Sequence, residues 1–192
     1  MCDILTPPGV DAIASEPESR MEVPLPSTPP VRLDAPAARR AVALAARANA
    51  ALYRATGGRI GGRWRLHSGF PRGLPVCLLT TRGRKTGRLR TAPLLHLRPW
   101  PDREAVAVVA SQGGSARHPM WYRNLLDEPR AVLQIGSALR LVRARTADPG
   151  ERAELWPLLT GFYPDYAAYQ SWTDREIPVV LLEPAGGEAE RH

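Results

Sequence analysis

Acidic side chains are absent from Ala35 to Pro101, a span that carries 14 basic ones. Lysine is nearly absent as well: of the 26 basic residues, Lys85 alone is not arginine. Cysteine is limited to Cys2 and Cys77, in contexts so different that reduced thiols and a cytoplasmic setting are the simplest reading. The four histidines are scattered, no Cys/His spacing matches a zinc site, and no metal is expected. No apolar run approaches the ~18 residues that a membrane span needs. Met1–Thr6 runs into prolines and acids where a secretory leader would have a basic start and an apolar stretch, so no leader is expected. Also missing are the hydrolase pattern G-x-S-x-G, the HExxH zinc pattern, a cysteine with a plausible base and a pair of catalytic carboxylates. A chain without such groups suggests that a cofactor carries the reaction.

What is present is an ordinary globular composition, 44% hydrophobic over 192 residues, with the charge unevenly placed. Residues 1–34 hold seven prolines and six acids against two arginines, too little apolar surface to offset the entropy of ordering, and are read as a disordered acidic tail. The acid-free stretch that follows creates a field attractive to an anion: a phosphorylated cofactor, an acidic lipid surface or nucleic acid. Nucleic acid is not expected, because Tyr53, Trp64, Phe70 and Trp100 are too sparse to make a stacking platform there.

Pro36–Ala55 is expected to be a helix, with Asp34 near its start and Gly57-Gly58 as its stop. Arg40, Arg47 and Arg54 form one stripe, and Val42, Ala45, Leu52 and Tyr53 lie broadly opposite. Such a basic amphipathic segment (35–56) either packs on the flank of the domain or touches an anionic membrane from the cytoplasmic side. Strand character recurs at Val76–Thr81, Arg90–Leu97, Ala105–Ala110, Ala131–Ile135, Leu139–Arg145 and Val179–Leu182. Helical pieces interrupt at Pro119–Leu126, Pro149–Leu159 and Asp165–Ser171. Six short strands, several in hairpin order, predict an α+β fold: a small β-barrel carrying helices over 57–184, followed by a short tail at 185–192. Repeated βαβ units are excluded by the spacing.

Three segments carry candidate chemistry. Thr81–Arg88 is a hairpin tip presenting cations and a hydroxyl between Gly83 and Gly87, with Arg90 just beyond; it lacks the glycines of a Walker-type phosphate loop. It is either an anion cradle or a solvated basic turn. Ser111-Gln112-Gly113-Gly114-Ser115 offers successive amides that could form an anion-binding concavity, or an ordinary tight turn. Pro119 suits a helix start, with Trp121 as a wall or a core residue and Asn124 one turn along. Tyr163, Tyr166 and Tyr169, followed by Trp172, would share a broad helix face, either lining an aromatic pocket or packing as a stripe.

Taken in order, LLTTRGRKTGRLRTAPL, ASQGG, HPMWYRNL, ERAELWPLL and FYPDYAAYQSWTDREIPVVLLEP resemble the deazaflavin-dependent nitroreductase and quinone reductase family of actinobacteria, over roughly Gly57 to Pro184. The resemblance implies a split β-barrel related to flavin-binding oxidases, using the deazaflavin coenzyme F420. It implies that Arg84, Lys85, Thr86 and Arg90 meet the coenzyme's phosphate and acidic tail. Ala92, Pro93, Ser111, Gln112, Gly113, Gly114, Trp121 and Asn124 would surround its phosphate and ring. Ser111, Tyr163, Tyr166 and Tyr169 would position the acceptor: a quinone, a nitroaromatic compound or a conjugated enone. The family often has a polar residue where Ala92 stands, Tyr where Leu95 stands and Lys where Gln112 stands. Two other readings fit the same residues: a barrel that binds FMN or deazaflavin without this turnover, and a binder of anionic surfaces.

Overall fold

Alternation along each strand decides which side chains enter the barrel and which face its helices. The computed structural model describes residues 36–64 and 73–186; the expected tail 1–34 and the end of the chain from 187 lie outside the described residues. In β2 (Leu74–Arg82), Cys77 and Leu79 join the interior cluster, whereas Val76 and Leu78 turn outward beneath helix α1 (Pro36–Thr56). The same division holds in β4 (Val106–Val109) and β7 (Val179–Pro184): Val106, Val108, Val180 and Leu182 point in. Their neighbours Ala107, Val109, Val179 and Leu181 point out, against Leu155 and Leu159 of α3 (Pro149–Phe162) and the tyrosines around α4 (Asp165–Ser171).

The sheet runs β2–β3–β4–β7–β6–β5, every pairing antiparallel, with β3 at Leu89–Leu97, β5 at Arg130–Ile135 and β6 at Ala138–Thr146. It closes because β5 also pairs with β2, through Leu78↔Gln134, Leu79↔Leu133 and Thr80↔Val132. The two-residue β1 (Arg63–Trp64) is added at the edge of β2. The result is the expected α+β barrel: among the described residues, six closed antiparallel strands with four helices. Helix α2 (Met120–Asp127) sends Trp121, Tyr122 and Leu125 into the interior cluster.

Each expected strand is present, most of them a residue or two longer than its apolar run, because backbone pairing continues past the last buried side chain. Helix α1 differs more. Ala45 and Leu52 are exposed, and the helix rests on the barrel through Ala50 and Tyr53. A convex barrel wall meets a helix along a narrow line, and positions three apart fill it. The side chains of Arg40, Val42 and Arg47 lie outside the described residues, while Arg54 reaches the Thr91 hydroxyl on β3. The Tyr53 hydroxyl donates to the Val76 carbonyl at 3.0 Å and accepts from the Gly136 amide at 2.8 Å, tying α1 to β2 and to the β5–β6 turn. No described helix is long and apolar enough to cross a membrane.

His96 is the odd member of β3. Its neighbours Ala92 and Leu94 pack on the interior and Leu95 and Leu97 on the exterior, which turns His96 inward. It is 8% exposed, and its Nδ1 has no hydrogen-bond partner among the described residues. Burial, helped by Arg98, pushes it down to about 4 from an ordinary 6.5, so the fold holds it neutral. Because the folded value lies below the unfolded one, stability is full above about pH 6.5 and is lost as the pH falls toward 4, by on the order of 3 kcal/mol. Glu128 and Glu151, held at about 2 chiefly by Arg130 and Arg145, lose their contribution as the pH falls from about 4.5 toward 2, below most of the His96 window. Urea unfolding between pH 6.5 and 4.5 should therefore show a falling stability that His96→Leu flattens; an unchanged slope in the variant would refute the assignment.

Candidate functional site

The β2–β3 connection is built around Gly83. Its amide donates to the Arg88 carbonyl at 2.9 Å, and its carbonyl accepts from Thr86 N at 3.1 Å and Gly87 N at 2.7 Å. A Cβ on Gly83 would meet the Arg88 carbonyl oxygen at 3.0 Å, and Gly87 has a φ of +66°, which is why both positions are glycine. Thr86 turns its hydroxyl back to accept from Arg88 N at 3.4 Å. Arg84, Lys85, Arg88 and Arg90 are all exposed at this tip, and none of them pairs with a carboxylate among the described residues.

Asn124 holds the tip in place. Its Nδ2 donates to the buried Thr81 hydroxyl at 3.0 Å, and its Oδ1 accepts from Arg84 N at 3.2 Å. The cationic turn is thus fastened to α2, the helix that follows the glycine loop. Asn124 is 3% exposed and Trp121 9%, and Trp121 packs edge-on against Tyr122 at 6.1 Å, so both are anchored in the barrel's end. On β3 the expected residues divide. Ala92 packs on the interior cluster, whereas Pro93 stands opposite Leu78 on the outer side, next but one to Leu95.

The glycine loop follows β4. Ser111 is right-handed (φ −72°, ψ −43°) and Gln112 left-handed (φ 48°), followed by Gly113 (φ 60°) and Gly114 (φ 74°). A right-handed residue followed by a left-handed one turns successive amides toward a common point, the nest geometry that receives anions. The Gly114 amide is used by the Ser111 carbonyl at 3.2 Å and the Ser115 amide by the Gln112 carbonyl at 3.3 Å. Those of Ser111, Gln112 and Gly113 have no acceptor among the described residues. Gln112 is the sole non-glycine residue with positive φ in the described chain, a conformation that costs energy and marks functional loops. Gly114 lies against α4: a Cβ there would stand 2.9 Å from the Tyr169 carbonyl oxygen and 3.0 Å from Trp172 Cε3.

Two residues that sequence reasoning did not single out secure this loop. Arg175 donates to the carbonyls of Ser115 (2.8 Å), Ser111 (2.8 Å) and Ala110 (3.2 Å), and its Nη1 meets His118 Nδ1 at 3.2 Å. Gln170 fixes the segment that carries Arg175, donating to the Arg175 carbonyl and accepting from Ile177 N, both at 2.9 Å. Neither residue has a periodic signature in the sequence. In Thr173-Asp174-Arg175-Glu176 the arginine reads as one more surface charge.

The three tyrosines do not share one helix. Tyr163 closes α3 and Pro164 breaks the path, while Tyr166 and Tyr169 lie in α4. The break gathers them more tightly than a stripe would. Ring centroids are 5.0 Å apart for Tyr163–Tyr166, 6.2 Å for Tyr163–Tyr169 and 6.4 Å for Tyr166–Tyr169. The Tyr163 hydroxyl donates to Asp165 Oδ2 at 2.7 Å and lies 3.2 Å from that of Tyr169. Burial pushes all three phenols above their ordinary value, so they remain protonated donors at neutral pH. Leu95 and Leu97 of β3 pack beside them. Among the described residues no cluster of His, Cys, Asp and Glu could hold a metal ion.

Residues 45–184 match the sequence profile of F420H(2)-dependent quinone reductases. An F420H(2)-dependent quinone reductase of Mycobacterium tuberculosis (strain H37Rv) is 39% identical over 135 residues, covering 69% of this chain and 85% of that protein. A second protein of the same strain, provisionally given the same name, is 48% identical over 120 residues, 62% of this chain and 98% of its own length. The solved structure of an F420-H2 dependent reductase superposes with a TM-score of 0.51 at 39% identity, over 57% of this chain and 94% of that one. Another, a domain-swapped dimer, gives 0.53 at 30% identity over 74% and 99%. These matches place the protein in the F420H(2)-dependent quinone reductase family.

Proposed function

We propose that this protein is an oxidoreductase that passes a hydride from reduced coenzyme F420 to a quinone, with activated nitro compounds and conjugated enones as further acceptors. The observation that carries the reading is an amide nest, held by Arg175, together with a hairpin of cations that are unpaired among the described residues and that Asn124 fastens to α2. Unpartnered amides and cations fit a coenzyme with a phosphate and an acidic tail, and they suit FMN's phosphate less specifically. When bound, the coenzyme supplies the hydride.

The chain's own residues bind, orient and donate. Arg84, Lys85 and Arg90 neutralise phosphate and carboxylates, with Lys85 as a compact charge, and Thr86 shapes the turn that presents them. Ser111, Gln112 and Gly113 offer backbone amides, Gly114 keeps the loop close against α4, and the missing Cβ atoms let a ring approach. Ala92, Pro93, Trp121 and Asn124 would border the coenzyme's phosphate and ring, Asn124 through the turn that it fastens. A quinone that accepts a hydride becomes an oxyanion, and Ser111 with the protonated Tyr166 would stabilise it by hydrogen bonding, Tyr169 joining by turning its proton away from the Tyr163 hydroxyl, whose own proton is held by Asp165. Leu95 beside them makes the acceptor side apolar, which favours a lipophilic quinone.

Titration with oxidised F420, FMN in parallel, tests this directly. Saturable F420 binding is expected, weakened about tenfold or more in Lys85→Ala, since a charge-assisted hydrogen bond is worth roughly 1.5–3 kcal/mol. Tight FMN binding without F420 binding would sink the proposal. A second expectation concerns the loop. Gly114→Ala places a Cβ on the Tyr169 carbonyl at a left-handed position, and should lower stability by about 1–3 kcal/mol. Thermal melting of this variant should show a clear drop, with F420 affinity falling as the loop shifts.

A further inference from the structure

We infer that Arg175 is the positioning residue of the amide nest: by taking the carbonyl side of the loop, it turns the opposite, N–H side toward the ligand. The argument rests on peptide geometry. In a trans peptide the N–H points opposite to the C=O of the same plane. The Ala110 carbonyl shares its plane with the Ser111 amide, and the Ser111 carbonyl shares its plane with the Gln112 amide. Arg175 Nη2 donates to both carbonyls, at 3.2 and 2.8 Å, so the two N–H groups must face away from it together. These are two of the three amides that lack an acceptor among the described residues. Its Nε holds the far end of the loop at the Ser115 carbonyl, 2.8 Å away. A planar, forked cation with five N–H groups serves the three carbonyls and the His118 imidazole together, one acceptor more than an ammonium has donors.

The fourth contact makes the arrangement sensitive to protons. Arg175 carries no free acceptor, so its 3.2 Å contact to His118 Nδ1 requires a lone pair on that nitrogen and a neutral ring. The charged and titratable groups facing His118 are Arg175 itself and, from α2, Arg123 and the Tyr122 ring at 5.1 Å. Burial, Arg175 and Arg123 all push His118 below its ordinary value. Two cations and, among the described residues, no bonded carboxylate leave a protonated His118 repelling the guanidinium. The clamp is at full strength above the ordinary histidine range and slackens as the pH falls below it.

This inference rests on the F420 reading, and the experiment separates the two. Wild type, Arg175→Ala, Arg175→Lys and His118→Gln are titrated with oxidised F420 at pH 7.5 and 5.5. Steady-state KM values for reduced F420 and for a quinone are measured alongside. Arg175→Ala should bind F420 at least tenfold more weakly and raise the coenzyme KM with the quinone KM unchanged. Arg175→Lys should lose severalfold, because an ammonium cannot span all the acceptors. His118→Gln keeps a neutral acceptor, so the ratio of its dissociation constant to that of wild type should fall between pH 7.5 and 5.5, the ligand's own titration cancelling. Should Arg175→Ala fail to fold, the lysine variant and the His118→Gln ratio decide the matter. Wild type that binds no F420 overturns the F420 reading and this inference with it. Wild type that binds while the Arg175 variants bind within twofold, or a His118→Gln ratio that does not change with pH, overturns the inference alone.

Discussion

A one-residue slip of β2 would turn Cys77, Leu79 and Thr81 out of the barrel and Val76 and Leu78 into it. That strand is paired on both sides, with β3 and with β5, and it is the strand through which the barrel closes. Its outward residues seat α1, its inward residues fill the core, and its last inward residue, Thr81, receives Asn124. The cationic turn therefore inherits its position from apolar burial some residues earlier. Charge alone would leave such a turn free in solvent, since exposed arginines gain little from one another or from distant acids.

The turn and the glycine loop are restrained by different physics. The turn is held by its own backbone and by one amide side chain from α2. The loop is held by a guanidinium whose acceptors are neutral carbonyls and an imidazole, so no carboxylate is drawn into the place where an anion is expected. The acids that the structure does employ stand elsewhere. Glu151 and Glu183 both engage Arg145, joining α3, β6 and β7, and Glu128 engages Arg130. Keeping acids away from one face and using them to tie down another is how a chain can carry a strong positive field without losing its fold.

Much of this was legible in the sequence because it is local. Apolar runs gave the strands, the helical piece at Pro149–Leu159 gave most of α3, and Gly83, Gly87 and Gly114 marked places where backbones turn or approach. What stayed hidden depends on partners far away in the chain. The β2–β5 pairing that closes the barrel has no local signal. Nor does the bond from Gly136 to the Tyr53 hydroxyl, 83 residues away, or the clamp from Arg175 to Ala110, 65 residues back. The face of α1 was misjudged for a related reason: helical periodicity shows which residues share a side, and only the curvature of the barrel decides which side is covered. Asn124 was read as facing a ligand; what the structure shows is that it fastens the turn.

Cys77 acquires a meaning beyond packing once the acceptor is considered. Quinones are electrophiles that alkylate thiolates, and their redox cycling generates oxidants that attack the same sulfur. Cys77 is fully buried in the barrel and unpaired, and burial pushes its thiol up to about 12, so at neutral pH it is neither ionised nor reachable. The packing that stabilises the barrel thus also shields its one described thiol from the class of molecule the protein is built to handle.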